Sequence, residues 1–436
     1  MSIKYLVYLL TLCTLLGCSL PTQEQPTQEQ RQQFTIAAIP DTQNYLDYTH
    51  QTAEGFALDA ADQFIAQMDY IARNAVSQGG DIVFAIHLGD VWQHQTIAMD
   101  HDHKHAGFEA IENPWLASHV YPTPEQVFGI EMPAARKGFQ LFDKAGLPFG
   151  VVPGNHDYDA MWSAAGWPPV TDPKKLTMTA EALGILHAGG LDNFRSVFGN
   201  DSEFFRDKDW YIDSYNGGAS SAQTFTAAGF TFLHLALDMS PKDDVLEWAS
   251  KVIANNAGLP TILTTHDFLN AKNERKAAPI VDFHAVDPRH NNAEMLWQKF
   301  IAKHTQIFMV LSGHQHGQGL RIDRNIEGGE VYQIMSDYQD RGQSGIDAGE
   351  PINPAYGRPT GIGDGWLRMM RFDFSGDTPL LKISTYSSHY QIESKALKEY
   401  ATWYREYEQP NMSDKQFIEA DNFTLELSDF TRRFSK

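Results

Sequence analysis

Short apolar segments recur along the chain, and most of them are followed directly by polar residues. The apolar segments are Phe34–Ile39, Ile82–Leu88, Pro148–Val152, Phe230–Leu237, Ile262–Thr265 and Ile307–Ser312. Their short length and continuous apolar character predict buried β-strands. The polar groups that follow them are Asp41 and Gln43, Gly89-Asp90, Gly154-Asn155-His156-Asp157, His266, and Gly313-His314-Gln315-His316. The pattern predicts a cluster of polar side chains at the carboxyl ends of several strands.

Between these strands, apolar residues recur at the spacing of a helix. One apolar stripe with intervals of three or four residues is formed by Leu58, Ala61, Ile65, Met68, Ile71 and Ala75. Ser240-Pro241 predicts the start of another helix, with Ser as the cap and Pro in the first turn. Strands that alternate with helices predict a layered α/β fold. Three later runs without helices between them predict antiparallel strands of a second sheet: Val331–Met335, Trp366–Phe374 and Leu381–Tyr386.

Two long segments, at about 92–144 and 158–228 of the 436-residue chain, are interpreted as insertions. The first contains the run His101–His105 (HDHKH). A solvated polar loop is favoured there over a metal site, because the spacing does not force the ring nitrogens to converge. Residues 391–436 form a C-terminal extension with a helix-like stretch, Ser394–Tyr407, a strand-like stretch, Phe423–Leu427, and no recognisable chemistry.

The N-terminus has the features of a secretory signal. Lys4 precedes a short apolar run, and Leu15-Leu16-Gly17-Cys18 follows. This sequence resembles the lipobox of bacterial lipoproteins, in which the Cys is lipidated; the alternative is an ordinary signal with a chance Cys. We expect residues 1–18 to be a lipoprotein signal peptide, 19–33 a flexible tether, and 34–390 the main domain. The expected location is the bacterial envelope, on the periplasmic side of the outer membrane, with contact to the membrane only through the lipid.

Composition narrows the classes of partner. The 34 basic and 55 acidic residues give a formal net charge of −21. A body this acidic repels nucleic-acid phosphates, so no nucleic acid polymer is expected as a partner. The only two cysteines, Cys13 and Cys18, lie in the signal region, so the main domain has no thiol chemistry.

Taken in order, the polar groups at the strand ends resemble the motifs of the calcineurin-like metallophosphoesterase superfamily, over roughly residues 34–390. The resemblance implies a layered α-β-β-α sandwich, with two mixed β-sheets flanked by helices and a metal site at the strand carboxyl ends. It also implies two divalent metal ions, the first held by Asp41, Gln43, Asp90 and His316. The second is held by Asp90, Asn155, His266 and His314, so that Asp90 bridges the pair. Two such ions activate a bridging hydroxide and bind phosphate oxygens, and their charge attracts a phosphate anion into an acidic protein.

Gln43 departs from the family pattern, which has His at that position. An amide oxygen is a harder donor than imidazole, so the first site is expected to favour Mn, Mg or Ca over Zn. The alternative is that Gln43 is not a ligand and water takes its place. The metals themselves are left open among Mn, Fe, Zn, Mg and Ca.

The resemblance gives His156 the role of general acid toward the leaving oxygen, with Asp157 as an orienting partner. The alternative for His156 is phosphate binding alone. The residues after Asp90, Val91-Trp92-Gln93-His94, differ from those of the serine/threonine protein phosphatases and argue against that subclass. The segment Ser336–Arg341 and the Gly-rich loop that follows it are expected either to form a wall of the cleft or to pack Tyr338 and Trp366.

The expected function is a dinuclear-metal-dependent hydrolase of small phosphoric esters, either monoesters or diesters. Two alternatives are a non-catalytic binding lipoprotein with a degenerate metal site and a metal-dependent hydrolase of other esters. The sequence predicts neither the physiological substrate nor the oligomeric state.

Overall fold

The structure is a computed structural model that describes residues 31–119, 124–350, 352, 357–359 and 361–434. The predicted signal peptide and residues 19–30 of the predicted tether lie outside the described residues. Within the described ranges, no helix has both the length and the apolar character needed to cross a membrane.

The described residues form a mixed α/β structure with three sheets. The strands are β1 (Gln33–Ile39), β2 (Ile82–His87), β3 (Ala110–Ile111), β4 (Phe149–Val151), β5 (Ala160–Ala164), β6 (Leu186–Gly189), β7 (Tyr211–Tyr215), β8 (Ser220–Ala227), β9 (Phe230–Ala236), β10 (Thr261–Thr264), β11 (Ile307–Ser312), β12 (Gly317–Arg324), β13 (Glu330–Asp337), β14 (Trp366–Asp373), β15 (Leu380–Ser387), β16 (Ile392–Glu393) and β17 (Phe423–Glu426). The α-helices are α1 (Gln43–Leu46), α2 (Ala61–Arg73), α3 (His101–His105), α4 (Pro114–His119), α5 (Pro124–Gln126), α6 (Met132–Ala145), α7 (Ala180–Leu183), α8 (Asp192–Phe198), α9 (Asp243–Asn255), α10 (Phe283–Val286), α11 (Ala293–Leu296), α12 (Gln343–Asp347), α13 (Tyr400–Glu408), α14 (Asp414–Asp421) and α15 (Phe430–Arg433).

The strands that precede the predicted site residues are neighbours. The first sheet has the order β16-β15-β14-β1-β2-β4, with β17 also paired to β15, and β1, β2 and β4 are parallel. The second sheet has the order β12-β13-β11-β10-β9-β8-β7, and β9, β10, β11 and β13 are parallel. Because parallel strands end at the same edge, the polar groups after β1, β2 and β4 come together, as do those after β10 and β11.

Aromatic side chains fill the contact between the two large sheets. Phe34 of β1 lies edge-on to Phe232 of β9, at 5.5 Å between ring centroids, and Phe84 of β2 stacks on Phe225 of β8 at 4.6 Å. Successive β1 residues alternate between two clusters, since Ile36 and Ala38 join this contact while Ala37 and Ile39 pack with α2 and α6.

Two helix predictions need correction. Helix α2 begins at Ala61, not at Leu58, and the side chains that it buries include Phe64 and Met68, while Ile65 is only partly buried. Helix α9 begins at Asp243 after Lys242, so Ser240 is not its cap. Ser240 instead has a φ of 51° in the preceding turn, and its carbonyl oxygen accepts a hydrogen bond from His290 Nδ1.

The late strands also differ from the prediction. β13 lies parallel to β11 in the second sheet, whereas β14 and β15 are antiparallel strands of the first sheet. The long connection from β13 to β14 allows the chain to return beside β1, which spacing alone does not reveal. Residues 391–436 join the same sheet, because β16 and β17 both pair with β15.

The predicted solvated loop at His101–His105 is wrong for its central residue. The run forms α3, which Asp100 caps by accepting a hydrogen bond from the backbone N–H of His103. His103 is buried, while His101 and His105 are exposed. The first insertion also contains α6, a helix that packs on α2 and that the sequence analysis did not predict.

Candidate metal centre

The predicted site residues surround one cleft of about 540 Å³. Six of the eight line it: Gln43, Asp90, Asn155, His156, His314 and His316. The other two, Asp41 and His266, are fully buried at the ends of β1 and β10. The fold therefore places residues from five separate strand ends around a common space.

Asp90 is at the centre of the observed contacts. Its Oδ2 lies 3.3 Å from His266 Nε2, and its Oδ1 accepts a hydrogen bond of 2.8 Å from the backbone N–H of His156. Asp41 Oδ2 lies 3.8 Å from the same His266 nitrogen. It also accepts a long hydrogen bond from the backbone N–H of His314. Asp90, His266 and His314 form a buried group whose ligand atoms all lie within 4.8 Å of one another.

Four buried atoms of the predicted ligands have no hydrogen-bond partner among the described residues. They are Gln43 Oε1, Asn155 Oδ1, His266 Nε2 and His314 Nε2. The contact of His266 Nε2 with Asp90 is not aligned as a hydrogen bond, and its Nδ1 is held by Leu88 O at 2.7 Å. Buried polar atoms are seldom left unpaired, because each costs free energy. Nitrogen and oxygen atoms converging beside carboxylates fit a divalent cation.

The buried carboxylates of the site are stabilised by positive charge nearby. Burial, together with the Asp337 carboxylate, raises the pKa of Asp41 well above its usual value. Burial and Asp90 raise the pKa of Asp157 to about 8. Against the effect of burial, Asp90 and Asp41 raise the pKa of His266 to about 10. Burial and the nearby His266 lower the pKa of His314, which favours its neutral ring. A divalent cation bound beside these carboxylates would balance their negative charge.

The backbone of the centre is strained at three of the predicted ligands. Asp90, His314 and His316 have φ values of 53°, 67° and 33°, in the left-handed region that non-glycine residues rarely adopt. Such strain concentrates at functional sites, where the surrounding structure enforces it. Gly313 precedes His314, and a Cβ there would lie 2.2 Å from Asp41 Oδ1, so this position needs glycine for close approach.

The ligands predicted for the first cation are joined by a residue that sequence reasoning did not assign. Gln339 bonds to the side-chain amide of Gln43 and lies 2.7 Å from His316 Nε2 through its own amide nitrogen. Asp340 accepts from His316 Nδ1 at 2.8 Å and so orients the ring. Both lie in the segment Ser336–Arg341, which the sequence indicated only as a possible wall. His316 is not part of the group formed by Asp90, His266 and His314.

His156 is held by a backbone carbonyl and not by Asp157. Its Nδ1 donates to Gln93 O at 2.6 Å, which leaves Nε2 as the ring atom that can exchange a proton. Asp157 accepts from the backbone N–H groups of Val91 and Gly154, so it fixes the loops that carry Asp90 and Asn155. The prediction that Asp157 orients His156 is wrong in this respect.

The walls of the cleft have different chemistry. Besides the predicted ligands, the lining includes the apolar side chains of Met161, Met178, Leu186 and Ile280, which we call the apolar wall. Tyr338 and Trp366 do not line the cleft; both are buried and pack in the cluster that contains α13 and α14 residues. For these two aromatic residues, packing is the observed role.

A buried glutamate that the sequence did not indicate stabilises the loop after Asp90. Glu131 is buried and accepts hydrogen bonds from the backbone N–H groups of Gln93 and His94 and from the His94 ring. Glu131 lies in the first insertion, and no sequence pattern there indicates this role.

No family model matches the chain. The uncharacterized protein YvnB of Bacillus subtilis (strain 168) is 24% identical over 262 residues, which cover 58% of this chain and 15% of YvnB. This chain therefore corresponds to a small part of that relative. Among solved structures, "GAP50 the anchor in the inner membrane complex of Plasmodium" matches 83% of this chain and 86% of that one, with 9% identity and a TM-score of 0.35. These similarities assign no activity.

Proposed function

We propose that the protein is a metallophosphoesterase that hydrolyses small phosphoric esters with two divalent metal ions. The observation that carries the proposal is the set of four unpartnered donor atoms beside two buried carboxylates, at strand ends that line one cleft. The resemblance of the ordered motifs to the calcineurin-like superfamily supports the same class. We further propose that the two large sheets and their flanking helices form the α-β-β-α sandwich of that superfamily.

The ligand assignment follows the resemblance of the motifs to those of the superfamily. Asp90, Asn155, His266 and His314 would hold one cation, and Asp41, Gln43, Asp90 and His316 the other. When bound, two such cations activate water and neutralise charge on the phosphoryl oxygens.

The chain's own residues supply orientation and a proton. The carbonyl oxygen of Gln93 accepts from Nδ1–H and fixes the direction of the His156 ring. In its imidazolium form the ring would donate the Nε2 proton to the departing oxygen and keep the Nδ1 proton on Gln93. The backbone N–H of His156 also binds Asp90, which couples the position of the acid to that of the bridging carboxylate. The apolar wall that includes Met161 and Leu186 contacts the organic part of an ester, and this part is withheld from water.

The direct test is hydrolysis of nitrophenyl phosphate and bis-nitrophenyl phosphate by the protein loaded with Mn, Zn or Mg. We expect Asp90→Asn to abolish turnover and metal binding at the centre. Asp213→Asn serves as the control, because Asp213 is an exposed carboxylate on β7. Metal binding without hydrolysis of any phosphoester would favour the alternative of a binding lipoprotein.

The role of His156 is separated by leaving groups. His156→Asn keeps a hydrogen-bonding side chain but cannot deliver a proton, and loss of a general acid costs about 10²–10⁴ in rate. We expect that loss on an alkyl phosphate, whose alcohol is a poor leaving group, and a much smaller loss on nitrophenyl phosphate. Equal losses on the two substrates would mean that His156 only binds phosphate.

We also propose export and lipid anchoring through Cys18, which lies outside the described residues. More than one acyl chain gives firm attachment to a membrane. Cys18→Ser should release the protein into the soluble fraction or leave uncleaved precursor. Wild-type protein that is soluble and has no added lipid mass would contradict the proposal.

A further inference from the structure

A second buried cluster of ligand-type side chains lies apart from the candidate metal centre. It consists of His103 in α3, His187 in β6, and Asp287 and His290 in the segment after α10. We call these four residues the second cluster. Each offers one ligand atom, these atoms all lie within 4.8 Å of one another, and no residue of the four is more than 5% exposed.

The distances within the second cluster resemble the edges of a tetrahedron. His103 Nε2 and His187 Nε2 are 2.8 Å apart, and Asp287 Oδ2 lies 3.8 Å from both His103 Nε2 and His290 Nε2. Zinc–ligand bonds of about 2.0–2.1 Å place neighbouring tetrahedral ligands about 3.3 Å apart. This value lies between the shortest and the longest of these distances, and the remaining pairs lie within 4.8 Å, so a bound zinc ion would require the side chains to move closer together.

Hydrogen bonds outside the cluster orient its rings. His103 Nδ1 donates to Asp100 Oδ2, and His290 Nδ1 donates to Ser240 O, both at 2.8 Å. In each ring this leaves Nε2 with a lone pair directed away from the partner. His290 Nε2 has no hydrogen-bond partner in the described part of the chain, and His187 Nε2 contacts only His103 Nε2 of the same cluster. Ligating histidines commonly carry such an outer carboxylate or carbonyl on the second nitrogen.

We propose that the second cluster is a structural zinc site with three imidazole ligands and one carboxylate. Four protein ligands close a tetrahedral site and leave no position for substrate, which is typical of structural zinc. Imidazole-rich sets favour zinc over magnesium and calcium. The Asp287 carboxylate is itself fixed by three hydrogen bonds from the Arg289 guanidinium, as expected for a ligand of this kind.

The site would join three distant parts of the chain. His103 belongs to the first insertion, His187 to the second, and the other two ligands to the segment between β10 and β11. Leu186 precedes His187, its N–H donates to Ile280 O at 2.7 Å, and both residues line the apolar wall of the cleft. A zinc ion here would therefore hold that wall in place. Its effect on a substrate rests on the proposed function, whereas zinc binding does not.

The experiment measures zinc in the purified full-length protein by plasma mass spectrometry. A His266→Ala/His314→Ala background removes ligands of the candidate metal centre, so that it does not contribute. We expect one tightly bound zinc in this background and loss of it when His103→Ala is added. An added His101→Ala is the matched control, because His101 lies on the same helix with a side chain that is 91% exposed. Removing the outer carboxylate of a ligating histidine typically weakens binding about 10–100-fold, so loss of the ligand itself should exceed this.

Two further measurements keep the test decisive if His103→Ala does not fold. Asp287→Asn preserves size and should also lose zinc, and cobalt substituted into the background protein should give the intense visible absorption of tetrahedral coordination. A chelator should lower the melting temperature of the background protein but not that of Asp287→Asn in the same background. Absence of bound zinc in the background, or equal zinc retention in both ligand variants, would mean that the cluster is a hydrogen-bonded histidine group only. Failure of the proposed function would appear instead as absent phosphoester hydrolysis by metal-loaded wild-type protein, with zinc still bound at the second cluster.

Discussion

The close packing of the candidate metal centre can be tested at Gly154, which precedes Asn155. A Cβ at this position would lie 2.2 Å from Asp90 Oδ1 and 2.6 Å from His266 Nε2. The backbone there has a φ of −97° and a ψ of −178°, which alanine adopts without strain. Gly154→Ala therefore tests steric pressure on two predicted ligands, separately from backbone conformation.

The magnitude follows from the overlap. Non-bonded heavy atoms are most stable at about 3.5–4.0 Å, so the added methyl group displaces Asp90 or His266 by about 1 Å. A displacement of about 1 Å in a catalytic arrangement costs about 100-fold in rate. Overpacking of this kind also destabilises a protein by about 1–3 kcal/mol, which a folded domain of this size tolerates.

The assay compares metal content and kcat/KM for nitrophenyl phosphate in wild type, Gly154→Ala and Gly166→Ala. Gly166 is the control, because a Cβ there would have nothing within 4 Å and its φ is not positive. We expect a loss of about 100-fold for Gly154→Ala, with metal affinity reduced, and no change for the control. Full metal retention and a rate within threefold of wild type would refute the view that Asp90 and His266 are fixed ligands.

Three further predictions concern metal choice, buried charge and pH. Gln43→His should raise zinc affinity relative to magnesium, since it replaces an oxygen donor with nitrogen; an unchanged ratio in calorimetry would mean that Gln43 is not a ligand. Asp421 is fully buried and pairs with Arg341 at 2.8 Å, so Asp421→Asn should lower the free energy of unfolding in urea by roughly 3–5 kcal/mol. Asp69→Asn, in a surface ion pair, should cost less than about 1 kcal/mol, and similar costs would contradict this. Burial lowers the pKa of His234 to about 3. As the pH falls below the ordinary pKa of histidine, this ring binds a proton in the unfolded chain but not in the folded one, so the free energy of unfolding decreases. This ring should account for about 1.4 kcal/mol of stability lost between pH 7.5 and 5.5, a loss absent in His234→Gln and measurable by denaturation at both pH values.

The strands that precede the candidate site were predictable because continuous apolar runs are local signals, whereas β7 and β8 lie in a segment interpreted as an insertion. The run Ile307–Ser312 coincides with β11, and β1 is only one residue longer than predicted. Pairing is a different matter, since it depends on where the chain returns. β14 reaches β1 after more than 300 residues, and nothing in its own sequence distinguishes the first sheet from the second.

The His101–His105 run shows why spacing alone does not predict the environment of a side chain. In a helix, residues four apart share a face, so His101 and His105 stack on the exposed side at 6.0 Å between ring centroids. His103, two residues from each, lies on the opposite face and is buried against His187. The partners that make this ring significant are 84 and 187 residues away, which no local pattern reports. The sequence shows that a histidine is present at position 103, but only the tertiary structure shows which residues surround it.

The two proposed cation positions differ in donor chemistry. The set around His266 and His314 contributes two imidazole nitrogens and is buried, whereas the set around Gln43 has a single imidazole, His316, with a side chain that is 34% exposed. Gln339, which contacts both Gln43 and His316, adds a second amide beside the first position. Oxygen donors favour Mg, Mn or Ca and imidazole favours Zn. Gln43 is therefore better understood as part of an amide-rich pair than as an isolated replacement of His, and the donor sets predict a centre whose two positions prefer different metals.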